Sequence, residues 1–205
     1  MIDDQLPAGG IEVVDPPWDA WQPLEVAQRL AGVDVAWCVV AGWALDLFRG
    51  ETTRDHDDLE IAVPCGGFGL VRTALAGFEF EVVGSGRRWP LDSPAFGVTY
   101  QTWVREPGTG VYRLDVFREP HDAGTWIYRR DESIRRPYQQ IIMTSPDGVP
   151  YLAPEIVLLF KAKHPRAKDQ SDFAGVLPVL GPIRRAWLAA ALRRTHPGHR
   201  WITAL

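Results

Sequence analysis

Apolar positions change their spacing along this chain, and the changes mark out elements. Residues 1–18, with Pro7, Gly9, Gly10, Pro16 and Pro17, hold no period and read as an extended arm. Over 23–30, Leu24, Val26, Ala27 and Leu30 recur at helical spacing, so a short helix is expected. Residues 36–41 (AWCVVA) form a compact run of β-formers, the pattern of a buried strand. Gly42 breaks that run, and 43–48 (WALDLF) read as a helix closed by Gly50. Residues 57–63 (DDLEIAV) alternate apolar with polar and predict a strand that Pro64 stops. A helix over 68–76 follows. Strands are expected over 78–83, 96–105 and 111–118, with shorter ones over 126–129 and 140–144.

After Tyr151 the pattern becomes helical. Pro154 sits at a first helical position and opens EIVLLFKAK, and helices are predicted over 168–180 and 182–194. No flexible linker separates the two textures. The pattern therefore implies an α/β domain of the α+β kind, with a mixed or antiparallel sheet, over 1–152. A C-terminal helical segment over 153–205 packs on it.

Composition narrows the function classes. A chain of 205 residues is long enough for one sizeable core, and a net charge of −4 argues against a protein that coats nucleic acid. The uncharged run 35–45 is too short to span a bilayer, so no membrane partner is expected. The acidic start MIDDQLPAGG has no apolar core segment, and the expected compartment is the cytoplasm. Two cysteines do not make a disulfide scaffold. Phosphate-loop, dinucleotide-fingerprint and zinc-protease signatures are absent from the sequence. His196 and His199, around Pro197-Gly198, read as a solvated turn.

The informative stretch is AGWALDLFRGETTRDHDDLEIAV, residues 41–63. It begins where a strand ends and a helix starts, and free backbone N–H groups at such a point face an incoming anion. Gly42 lets a phosphate approach the backbone, and Trp43 beside it joins the nucleotide-binding set. On the strand that follows, Asp58 and Glu60 are two apart and share a face. Adjacent carboxylates repel unless a cation lies between them, and two oxygen donors suit Mg²⁺ that keeps positions for water and phosphate. Asp115, in YRLDVF, offers a third carboxylate on another predicted strand, enough for a two-metal site.

Other residues admit two readings each. Arg54 either clamps triphosphate oxygens or pairs with Asp55 or Asp57. Lys161 and Lys163 are two apart, so they cannot share a helix face, and one of them is read as solvated. Asp46 caps or pairs locally. Arg129, Arg130, Arg135 and Arg136 form either an anion or RNA surface or a solvated hairpin.

The order of glycine turn, helix and Asp-Leu-Glu strand resembles the signature of the DNA polymerase β-type nucleotidyltransferase superfamily. More narrowly, GWALDLFRGETTRDHDDLEIAV is similar to the nucleotidyltransferases that modify aminoglycosides and lincosamides, as are RLDVF and YLAPEIVLLFKAKHPRAKDQSDF. The resemblance implies a mixed-sheet polymerase β-like core. It implies Asp58, Glu60 and Asp115 as metal ligands and catalytic residues, with Gly42 in the glycine signature and a helical lysine, taken as Lys161, facing the triphosphate. It also implies transfer of a nucleoside monophosphate from an NTP, taken as ATP, to a hydroxyl. Ala41 stands where a first glycine is usual, and Glu60 replaces the commoner aspartate. The acceptor is then a small molecule; a tRNA or protein acceptor, or a non-catalytic nucleotide-binding regulator, are the alternatives. Asp115 and Glu119 are the candidate general bases.

Overall fold

The computed structural model describes residues 5–205, so the first four residues of the expected arm lie outside the described residues. In chain order the strands are β1 (Ile11–Glu12), β2 (Cys38–Val39), β3 (Glu60–Pro64), β4 (Glu79–Gly84), β5 (Arg87–Pro90), β6 (Gln101–Arg105), β7 (Tyr112–Glu119), β8 (His121–Asp122), β9 (Thr125–Ile127), β10 (Arg135–Pro137), β11 (Ile142–Thr144) and β12 (Pro150–Leu152). The helices are α1 (Pro23–Arg29), α2 (Ala41–Arg49), α3 (Phe68–Ala74), α4 (Ala95–Val98), α5 (Tyr138–Ile141), α6 (Pro154–Lys161), α7 (Ala167–Val176) and α8 (Pro182–Thr195). Mixed α/β architecture is thus as the pattern implies.

Two compact units divide the chain, and neither ends at residue 152. One comprises the chain up to Trp37 together with His56–His121; the other comprises Cys38–Asp55 and Asp122–Leu205. The physical reason is a parallel pairing. Tyr151 on β12 registers with Val39 on β2, so the segment carrying α2 belongs with the C-terminal helices.

In the first unit the strand order is β1-β5-β4-β6-β7-β3. Every neighbouring pair is antiparallel except β3 and β7, which run parallel. One face of this sheet is a core: Val82, Val104, Leu114 and Val116 are fully buried, and Phe68 and Val71 of α3 are buried with them. Arg118 is buried in that core without a carboxylate partner among the described residues. Its Nε donates to Thr102 Oγ1 at 3.0 Å, and its Nη atoms donate to the Phe96 and Thr99 carbonyls at 2.6 and 3.0 Å. The guanidinium also lies 3.9 Å from the centre of the Phe96 ring. Burial lowers its pKa from the ordinary arginine value. A buried cation is tolerated only when its donors are used. Arg118 therefore clamps β7 to the segment that leads into β6.

In the second unit β2, β12 and β11 adjoin in that order, and β9 pairs antiparallel with β10. Helix α6 supplies its core, with Ile156, Val157, Leu158 and Leu159 buried in succession. Phe173 and Trp201 stack with centroids 4.3 Å apart. Within this unit Glu155, 1% exposed, is shared between two arginines. Arg136 Nη1 donates to Oε1 at 2.7 Å, and Arg184 Nη1 reaches both oxygens at 2.8 and 2.7 Å.

Candidate active site

The carboxylates of the first unit are set by strand periodicity. From Asp58 to Val63 partly exposed and buried residues alternate strictly, with Leu59, Ile61 and Val63 buried. Asp58 and Glu60 therefore lie on the less buried side, as the alternation predicts. The strand itself begins at Glu60 rather than at residue 57, although the ladder reaches one residue further back: Asp115 N donates to Leu59 O at 2.9 Å.

Glu60 and Asp115 are register partners on the adjacent parallel strands β3 and β7. Partners in register present their side chains to the same face. Asp115 is 2% exposed and accepts a hydrogen bond from the Gln101 amide. Gln101 lies diagonally across β6, whose Trp103 is the register partner of Asp115. Nothing in the local pattern around Gln101 announces that contact, because it depends on the antiparallel register of β6 and β7. A bulge near the far end of the same pair brings Tyr112 onto this face. The Tyr112 hydroxyl donates to Glu81 Oε2 at 2.5 Å. Burial first, and that carboxylate second, push the phenol up to about 12, so it stays protonated near neutral pH.

Among the described residues no group of three or more His, Cys, Asp or Glu side chains is placed to hold a metal ion. The donor set nonetheless fits Mg²⁺. That ion is held by one or two carboxylates, with waters and substrate phosphates filling its other positions, rather than by a protein cage. Two carboxylates in register, with Asp58 two residues upstream, meet that need.

The second unit holds the remaining candidates. Helix α2 starts at Ala41, two residues earlier than expected, so Gly42 and Trp43 lie within its first turn. Ala41 has φ of 54°, in the left-handed region where an L side chain is strained and glycine is not. This explains why glycine is usual at that position in the family the sequence resembles. Ala41→Gly should raise stability by about 1 kcal/mol, read as a higher thermal midpoint. A lower midpoint would count against the strained backbone.

Asp46, 5% exposed, pairs locally as expected: its Oδ1 accepts from Thr53 Oγ1 at 2.6 Å and its Oδ2 from Thr53 N at 3.2 Å. Arg54 pairs with neither Asp55 nor Asp57 through a side chain. Its Nη1 donates to the Asp55 carbonyl at 2.9 Å and its Nε lies 3.7 Å from Asp172 Oδ1. Lys161 Nζ is 2.8 Å from Asp169 Oδ1 and 2.9 Å from Asp172 Oδ2. Burial pushes the Asp169 carboxyl up, but hydrogen bonds from Arg166 and Lys161 outweigh it and hold the group well below the usual carboxylate range. The structure thus brings Arg54 and Lys161 together at Asp172.

The arginine group from 129 to 136 is engaged within its own unit. Arg136 binds Glu155, Arg130 donates to the Phe160 carbonyl at 2.8 Å, Arg129 lies 4.9 Å from the Phe160 ring centre, and Arg135 donates to the Glu132 carbonyl at 2.7 Å. Arg136 is thereby committed to a buried carboxylate. His196 and His199 are half-buried rather than solvated. The His199 Nδ1 accepts from Trp201 N at 3.2 Å, and burial lowers both imidazole pKa values. No helix among the described residues is long and apolar enough to cross a membrane.

Residues 23–92 match the family model of aminoglycoside-2''-adenylyltransferase. That stretch contains Gly42, Trp43, Arg54, Asp58 and Glu60, and stops short of Asp115 and Lys161. Two solved structures share the fold. A lincosamide antibiotic adenylyltransferase, LnuA, with lincomycin bound has a TM-score of 0.53 at 18% identity, covering 77% of this chain and 96% of its own. ANT(2'')-Ia in complex with adenylyl-2''-tobramycin has a TM-score of 0.56 at 17% identity, covering 84% and 98%. No curated protein sequence matches the chain. The likeness establishes the nucleotidyltransferase fold, and both neighbours are adenylyltransferases.

Proposed function

We propose that this chain, with a nucleotidyltransferase fold and a match over residues 23–92 to the aminoglycoside-2''-adenylyltransferase family, moves AMP from ATP to a hydroxyl of a small antibiotic-type molecule and releases pyrophosphate. The observation that carries the reading is the parallel register of Glu60 with Asp115, with Asp58 two residues upstream.

In this reading Asp58, Glu60 and Asp115 hold the divalent cation. Bound there as one or two ions, Mg²⁺ supplies positive charge to the phosphate oxygens. Gly42 offers its backbone N–H, Trp43 covers the nucleotide, and Arg54 and Lys161 present positive charge to the triphosphate. The acceptor oxygen forms its bond to the α-phosphorus as the bond to the pyrophosphate oxygen breaks, and the hydroxyl proton leaves to Asp115 or Glu119. Rate comes from positioning and charge neutralisation rather than from a covalent intermediate. ATP is a cytoplasmic metabolite, and we place the reaction there.

We take the acceptor to be small rather than RNA, because Arg136 is committed to Glu155 and the two fold neighbours carry lincomycin and adenylyl-2''-tobramycin. The experiment is pyrophosphate release from ATP with Mg²⁺, run with an aminoglycoside and lincosamide panel. Release that requires both metal and one acceptor class is expected. Release that is absent with every acceptor and NTP would remove the reading.

A further inference from the structure

We infer that Asp172 is a positioning residue that holds the Arg54 guanidinium ready for the triphosphate. The inference rests on the nucleotide-binding reading of Arg54 and Lys161 given above.

Arg54 is fixed at two levels. Its backbone follows Thr53, which is tied twice to the buried Asp46 carboxylate, and the loop starts at left-handed Gly50 (φ 74°), whose N–H closes α2 on Asp46 O at 2.8 Å. Its side chain lies against Asp172, whose side chain is 7% exposed while that of Arg54 is 27% exposed. The contact is an ion pair to Nε at 3.7 Å, beyond hydrogen-bond distance, and Nη1 is used on the Asp55 carbonyl. No bond to Nη2 occurs among the described residues. A purely structural arginine–carboxylate pair tends to spend its fork bidentately. Here the carboxylate holds the base of the guanidinium and leaves a terminal nitrogen for another acceptor.

Charge points the same way. Asp172 faces both Arg54 and Lys161, two cations on one carboxylate. Lys161 lies 2.8 and 2.9 Å from two buried carboxylates at once, which makes it a fixed charge. Asp169 is taken up by Lys161 and by the Nε and backbone N–H of Arg166, both at 2.9 Å. Asp172 is then the group that relates the fixed lysine to the partly exposed arginine.

The test is Mg-ATP affinity by calorimetry, with kcat and KM, for Asp172→Asn, Arg54→Ala and the double variant. Simple removal of a counter-charge would tighten ATP binding. Loss of positioning weakens it about fivefold, the upper end for a partly exposed ion pair. KM should rise while kcat holds within about twofold, and the double variant should bind no worse than Arg54→Ala alone, because Asp172 acts through Arg54. Unchanged or tighter binding in Asp172→Asn, or additive losses in the double variant, overturns the inference. If Asp172→Asn does not fold, Asp172→Glu carries the test: affinity restored to within about threefold of wild type supports positioning, and loss as deep as in Arg54→Ala overturns it. Unchanged ATP affinity in Arg54→Ala itself would show that the nucleotide reading of Arg54 failed, and the inference would fall with it.

Discussion

Asp58→Asn and Glu60→Gln should each lower turnover by about 10³-fold with little change in fold. Each substitution removes a charge and almost no volume, and neither residue is part of the buried core. Glu60 lies beside Asp115 in register, so the native protein holds like charges together on one face. Such pairs cost stability until a cation neutralises them. The thermal midpoint of both variants, measured without divalent metal, should therefore stay level or rise. Pyrophosphate release at saturating ATP should fall. This opposition of stability and activity is what a binding site predicts and what a solvated sheet face does not. Turnover within tenfold of wild type in both variants would remove the carboxylates from the chemistry.

Glu155→Ala should cost about 3 kcal/mol of stability. Glu155 is 1% exposed, and its two oxygens accept from Arg136 and Arg184. Truncation leaves two guanidinium groups facing each other with no anion between them. Their side chains are 19% and 28% exposed, so water screens part of the repulsion and the loss falls at the low end for a broken buried pair. Arg136 also lies 5.1 Å from the Trp187 ring centre, which anchors it and prevents an easy escape. Urea unfolding checks the value. A loss below about 1 kcal/mol would place this triad with ordinary surface pairs.

Local periodicity made much of this legible. The alternation from Asp58 to Val63 announces which side chains face out, and Pro154 announces α6. The turn at Ala41 was legible in kind but not in extent, because positive φ at an alanine leaves no mark in the sequence. Long-range pairing was not legible. Glu60 meets Asp115 only because β7 runs parallel to β3, and Gln101 reaches Asp115 only through the register of β6. The same holds for the grouping of residues 38–55 with the C-terminal helices, which follows from one parallel pairing between β2 and β12. The meeting of Asp172 with Arg54 and Lys161 was not legible either, because these partners are remote in sequence.

Whether the chain adenylylates a small molecule is answered by the mass of the acceptor. The full chain is incubated with ATP and Mg²⁺ beside an aminoglycoside panel, a lincosamide panel and bulk tRNA, and each acceptor is weighed by mass spectrometry. The expected result is the gain of one AMP unit on a small-molecule acceptor, absent in Asp58→Asn and absent without metal. AMP appearing on tRNA alone, or on the same small molecule at equal rate in Asp58→Asn, would contradict it.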